Sequence, residues 1–264
     1  MKTEFSFKKR LTSMLKVDFR RMFTMSLYYL MVGIALVVPI LILVMTTMME
    51  GQVTINPTTQ EETIMHGFDN VWQSLGSISG SSQGMSMDLV SMCNIDMMFF
   101  AVAVLVCIFI SDDFRSGYSK NLFTVRSNKV DYVISKTLVG FVVGASMIIT
   151  YFIGALIGGK ISGLSFALEG INFTNIIMCV LSKVFLVLVF VPIFVVMSVV
   201  GKRRLWLSLI GGFGISMLLF TMVSMISPLD STIVNVILTL VGGLLFSVGI
   251  GAISKIILNK TSLV

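Results

Sequence analysis

The sequence is poor in the side chains that do chemistry in water. It has one histidine, His66, which rules out a metal site built on a histidine pair and reads as a solvated loop residue. Its three cysteines, Cys93, Cys107 and Cys179, are too few and too scattered for a disulfide framework or a metal cluster. Two of them, Cys107 and Cys179, lie in apolar runs, where a reduced buried thiol is expected. Charge is also scarce. Only 12% of the 264 residues are Asp, Glu, Lys or Arg, about half the share of a soluble domain. No HExxH helix, GxSxG elbow or supported Ser/Lys pair is present. GALIGGK (154–160) matches the start of a phosphate loop, but Ile161 stands where Ser or Thr must hold magnesium. Its glycines end an apolar run and read as small residues that let helices approach closely. No catalytic residue, metal site or bound cofactor is expected on this chain.

Apolar side chains are what the sequence has in quantity. They make up 56% of it, with 20 Met and 20 Phe. That surplus calls for lipid as a second solvent, and residues 1–264 read as one membrane unit. Six segments approach the ~20 apolar residues that a membrane helix needs: 23–48, 89–111, 137–159, 173–200, 205–227 and 233–258. The second has a short clean apolar part, 97–110, so its span is expected to reach back past Asp96. The expected fold is all-α, a polytopic membrane protein with six transmembrane helices. Phe7, Leu11, Met14, Leu15 and Met22 recur at helical spacing among Lys and Arg, which predicts an N-terminal amphipathic helix in the membrane interface.

Orientation follows from Lys and Arg. Seventeen of the nineteen fall in 1–21, 112–136, 202–204 and the tail, four segments that share one side if there are six spans. The loop 49–88 between the first two spans carries neither. Both termini are therefore expected in the cytoplasm, the chain in the plasma membrane, and 49–88 outside. The basic balance belongs to a membrane rim and points to lipid, with no nucleic-acid partner. The outer loop includes SLGSISGSSQGMSM (74–87), whose Gly/Ser content predicts mobility.

Two charges lie inside the spans, and intramembrane charges are functional candidates by default. Asp96 and Lys183 fall at similar heights, about 22 and 26 Å from the cytoplasmic ends of their helices at 1.5 Å per residue. They are candidates for an ion pair in a translocation path. The competing reading is that each snorkels to the outer headgroups.

The stretch DDFRSGYSKNLFTVRSNKVDYVISK (112–136) gathers eight charges between two apolar runs. Phe114, Tyr118, Leu122 and Val125 fall on one helical face, with Asp112 and Asp113 at the expected helix start, where the dipole favours negative charge. Such a helix suits docking into a partner's groove or lying on the membrane surface. Asp113, Arg115, Gly117, Leu122, Arg126 and Lys136 resemble, in type and order, the first cytoplasmic loop of permeases of the type 2 ABC transporter family. The six-span plan, the N-terminal helix and the basic turn GKRRLW (201–206) are similar too. The resemblance implies that Asp113, Phe114, Arg115, Gly117, Tyr118, Leu122 and Arg126 form a coupling helix for a separate ATP-binding subunit, which carries ATP and magnesium. It also implies a second permease copy or a similar permease. Chains of this plan and length resemble Gram-positive exporters of, or immunity proteins against, antimicrobial peptides, and the Met- and Phe-rich spans suit an apolar or amphipathic cargo. Two rival readings are an ion-gradient-driven secondary transporter and a non-transporting peptide-immunity protein. A missing internal repeat and a single candidate intramembrane carboxylate count against the first.

Overall fold

The apolar runs fold as helices in the computed structural model, which describes residues 7–55, 62–64, 67–78, 94–125, 129–168, 170–202 and 204–260. In chain order these are α1 (Phe7–Thr24), α2 (Ser26–Met49), α3 (Met98–Arg115), α4 (Tyr118–Val125), α5 (Val130–Ser162), α6 (Phe173–Gly201), α7 (Leu205–Ile226) and α8 (Ile233–Lys260). Past α2, β1 (Val53–Ile55) pairs antiparallel with β2 (Glu62–Ile64), Val53 opposite Ile64. Five stretches are long and apolar enough to cross a membrane: Ser26–Met49, Ile95–Arg115, Val130–Ser162, Phe173–Gly201 and Ile233–Lys260. α7 adds a shorter apolar stretch, Leu205–Phe220. The chain is thus built as a helical, multi-pass membrane protein.

Successive long helices run in opposite directions. At one end of the bundle sit α1, α4, the end of α3 and the start of α5. The end of α8 is there as well, where Lys129 donates to the Leu258 carbonyl at 2.5 Å. At the other end, the segment 67–78 closes over the start of α6 and the chain that follows α5. These are called below the α4 end and the cap end. With 33 residues, α5 is about 50 Å long, well beyond the ~30 Å hydrocarbon thickness. Its extra turns carry polar groups that a membrane core would penalise.

The core centres on α6. In its apolar stretch 72% of residues are buried, against 17% in α2 and in α8, whose faces are left for lipid. Close approach explains the packing. A Cβ on Gly140 would sit 2.6 Å from Val191, and one on Gly144 2.5 Å from Val187, so α6 valines fill notches in α5. Phe99 of α3 stacks on Phe190 of α6 at 4.3 Å. GALIGGK lies within α5. There a Cβ on Gly154 would strike the Leu36 carbonyl, and one on Gly158 would fall 2.9 Å from the Ile40 Cα of α2. The glycines serve helix packing, with no loop after a strand to cradle phosphate.

The second span reaches back past Asp96 through a 3₁₀ turn, and its membrane-length stretch begins at Ile95. Asn94 is extended (φ −121°, ψ 179°) and caps the 3₁₀ turn Ile95–Met97, its side chain accepting the Asp96 amide at 2.9 Å. A good N-cap starts a helix where it stands. The expected start at 89 lies outside the described residues. One expectation needs correction: no single helix runs from Asp112 to Val125. α3 ends at Arg115, and α4 begins at Tyr118. Of the Gly/Ser-rich stretch 74–87, 74–78 packs against the bundle, with Ser74, Leu75 and Gly76 buried; 79–87 lies outside the described residues, as does His66.

Candidate functional site

The break between α3 and α4 is made by Gly117, whose φ of +76° is the left-handed conformation that commonly ends helices. The Ser116 amide bonds back to the Asp112 carbonyl at 2.8 Å. Asp112 and Asp113 therefore stand in the last turn of α3 and not at a helix start. The dipole there disfavours carboxylates, so their charge must be met from other helices.

Arg21 of α1 and Lys136 of α5 meet it. Asp113 is fully buried, with Oδ1 2.6 Å from an Arg21 Nη and Oδ2 2.7 Å from Lys136 Nζ. The Tyr132 hydroxyl donates to Oδ2 at 3.0 Å. Lys136 also reaches Asp18 of α1 at 2.9 Å, and Ser135 donates to the other Asp18 oxygen at 2.6 Å. The result is an alternating chain, Arg21–Asp113–Lys136–Asp18, in which two buried carboxylates face two cations. Aromatic faces complete the cation shells. Lys136 Nζ lies 3.9 Å from the Phe109 ring centre, and the Arg21 guanidinium 4.4 Å from that of Tyr118. Burial works most strongly against the charge of Arg21, but Asp113, Asp18 and Tyr118 together hold the guanidinium above its ordinary pKa. A parallel link joins Arg10 to buried Asp131 at 3.1 Å.

The predicted docking residues divide between inside and outside. Asp113 and Phe114 are buried, Phe114 edge-on to Tyr132. Tyr118 lies half-buried beneath Arg21, and Leu122 packs against the core. Arg115 is exposed, and Gly117 forms the turn. Arg126 lies outside the described residues. The outward surface is instead polar: Arg115, Ser116, Lys120, Asn121 and Thr124. Asp18 went unseen in the sequence, although a signal existed. It sits between Met14 and Met22 at four-residue spacing, a carboxylate on an apolar stripe, and all three are buried.

At the cap end Asp96 and Lys183 meet. Lys183 Nζ lies 2.5 Å from Asp96 Oδ1, and both side chains are fully buried. Ser224 of α7 donates to Asp96 Oδ2 at 3.1 Å, so one carboxylate ties α3 to both α6 and α7. Above it lies Gly76, with a φ of +154° that glycine adopts freely; a Cβ there would sit 3.8 Å from Lys183 Nζ. The segment over the pair is pinned. Trp72 Nε1 donates to the Phe166 carbonyl at 2.8 Å, Asn70 to that of Ala167 at 2.6 Å, and the Leu229 amide to that of Ser77 at 2.9 Å.

Among the described residues no group of three or more His, Cys, Asp or Glu is placed to hold a metal ion. The arrangement offers two buried charge clusters at opposite ends of a bundle, with a short polar-faced helix at one end. No protein-family model, curated protein or solved structure matches the chain.

Proposed function

We propose that this chain is the permease subunit of an ATP-binding cassette exporter of the type 2 plan. α7 is the sixth span, α1 lies along the inner membrane surface, and the α4 end with both termini faces the cytoplasm. The Lys/Arg distribution supports that orientation. The observation that carries the reading is α4 itself. It is an eight-residue helix between two membrane helices, with its inward face packed and Lys120, Asn121 and Thr124 turned out.

A partner pressing on α4 moves α3 through the Gly117 turn. Asp113 then passes the displacement to α1 and α5 through Arg21 and Lys136. Rigid-body motion of this kind is a recurrent form of switching. Coupling belongs to an ATP-binding subunit that supplies ATP and magnesium; a second copy or a similar permease completes the transporter. The cargo class is an apolar or amphipathic molecule such as an antimicrobial peptide. The Asp96–Lys183 geometry weighs against a gradient-driven mechanism, because a carboxylate already neutralised by a lysine at 2.5 Å is poorly placed to take up a coupling cation.

The test uses the exposed face, since changing Phe114 or Asp113 would disturb the interior. The triple variant Lys120→Glu, Asn121→Ala, Thr124→Ala should keep the thermal stability of the wild type in mild detergent. It should lose at least about tenfold of the ATP-binding subunit that co-purifies with it, the loss a binding hot spot carries. Undiminished co-purification, or no ATPase with the wild-type chain, refutes the reading.

A further inference from the structure

The charges of α1 fall into two sets. Arg10, Asp18 and Arg21 turn toward the bundle and are paired there. Lys8, Lys9, Lys16 and Arg20 are exposed, and none of them meets a carboxylate among the described residues. Three of the four share a face. At 3.6 residues per turn, Lys9, Lys16 and Arg20 stand about 160–180° round the helix from Asp18. Asp18, the one carboxylate of α1, is buried with Met14 and Met22. The stripe therefore points directly away from the bundle and carries no acidic group.

The two edges of the stripe differ in polarity. On one side lie Phe19 and Phe23, stacked with ring centres 5.9 Å apart. Phe23 meets Tyr28 edge-on at 5.1 Å, and Tyr28 meets Tyr29 at 5.3 Å. This aromatic ladder turns the corner at Met25, where the backbone is extended (φ −74°, ψ 124°), and runs onto α2. On the other side lie Ser13 and Thr24. Of the other exposed side chains of α1, Lys8 and Thr12 fall on the aromatic side, Val17 beyond the hydroxyls, and Phe7 at the helix start. Round the outer half of α1 the order is thus aromatic, cationic, hydroxyl. Lipid presents the matching order at its boundary: apolar chains that aromatic rings border, then phosphates, then water.

We infer that Lys9, Lys16 and Arg20 form a binding face for the headgroups of anionic phospholipids, with Phe19 and Phe23 seated at the top of the acyl chains. Charge complementarity and continuity with α2, whose apolar stretch is only 17% buried, single out lipid as the occupant. The face also bears on the α4 end. Arg20 adjoins Arg21, which holds Asp113 from the other side of the same helix. Anionic lipid outside and buried carboxylates inside then clamp α1 between them, so leaflet charge steadies the helix that anchors the end of α3. The inference rests on the exporter reading only in placing α1 along the inner membrane surface.

The test is lipid selectivity of the full chain in non-ionic detergent at low ionic strength. A fluorescent phosphatidylglycerol and a matched phosphatidylcholine are titrated in turn, and binding is read by anisotropy. A lysine or arginine close to an anionic surface strengthens binding about fivefold. The triple variant Lys9→Gln, Lys16→Gln, Arg20→Gln should therefore lose at least about tenfold of the preference for phosphatidylglycerol. The charge-conserving variant Lys9→Arg, Lys16→Arg, Arg20→Lys should keep it. So should Arg204→Gln, Lys255→Gln, Lys260→Gln, which removes three exposed cations and leaves the same net charge as the first variant. Equal losses in the two glutamine variants, or no preference in the wild type, overturn the inference. Glycerol phosphate, the headgroup without chains, should not displace the lipid at equal concentration; displacement would make the stripe a plain anion site and overturn the lipid assignment. The assay needs no ATPase. Selective lipid binding by a chain with no ATPase partner would strike only the exporter reading, and a lipid-indifferent stripe in an ATPase-bound chain would strike only this one.

Discussion

Lys136 holds two carboxylates, Asp18 and Asp113, that lie on different helices and far apart in the chain. Removing one partner of such a cluster leaves a buried charge unmet. Asp113→Ala should therefore destabilise the protein by about 3–5 kcal/mol, read as a lowered unfolding temperature in mild detergent. Asp112→Asn is the contrast. Its side chain is 59% exposed and 3.7 Å from Arg21, so its loss should cost only about 0–1 kcal/mol. Equal effects would contradict the division of roles between these neighbours. The sequence points to Asp113 as a residue of note, and its place on the inner face of the protein is not legible there. Spacing along one segment reports which residues share a helix face, whereas the partners of Asp113 come from α1 and α5. Asp96 and Lys183 were more legible, because two charges at one height in lipid have few other places to go.

At the scale of elements, the apolar lengths predict the long helices well, since about 20 residues of lipid-compatible side chain leave the backbone one local solution. The α3–α4 junction is where periodicity misleads. Phe114, Tyr118, Leu122 and Val125 fit one helical face only if the helix ignores Gly117. Gly117 stops it through a backbone conformation that a hydrophobic pattern does not register. Gly117→Ala tests this cleanly, because a Cβ there meets nothing within 4 Å and the effect is confined to φ. A loss of about 1–2 kcal/mol is expected; an unchanged unfolding temperature would deny the turn its role. At the other end of α3, Asn94 caps the 3₁₀ turn Ile95–Met97 that leads into the helix.

At the scale of the whole molecule, α6 is enclosed by its neighbours, while α2, α7 and α8 turn large apolar side chains outward. Among the described residues charge is confined to the two ends, and the α4 end is where it is densest. The helical multi-pass plan is thus legible from composition and the lengths of the apolar runs. The wiring of α1 through Arg21 and Asp18 is not, because it depends on contacts between helices distant in sequence. The central claim is that α4 is the handle for an ATP-binding partner. Its most direct test is a photo-activated cross-linking residue at Asn121 on the outer face of α4, with a control at lipid-facing Leu245, illuminated in native membranes. The account predicts that the Asn121 probe captures a protein carrying a nucleotide-binding domain while the Leu245 probe captures lipid. Lipid alone at both positions would contradict it.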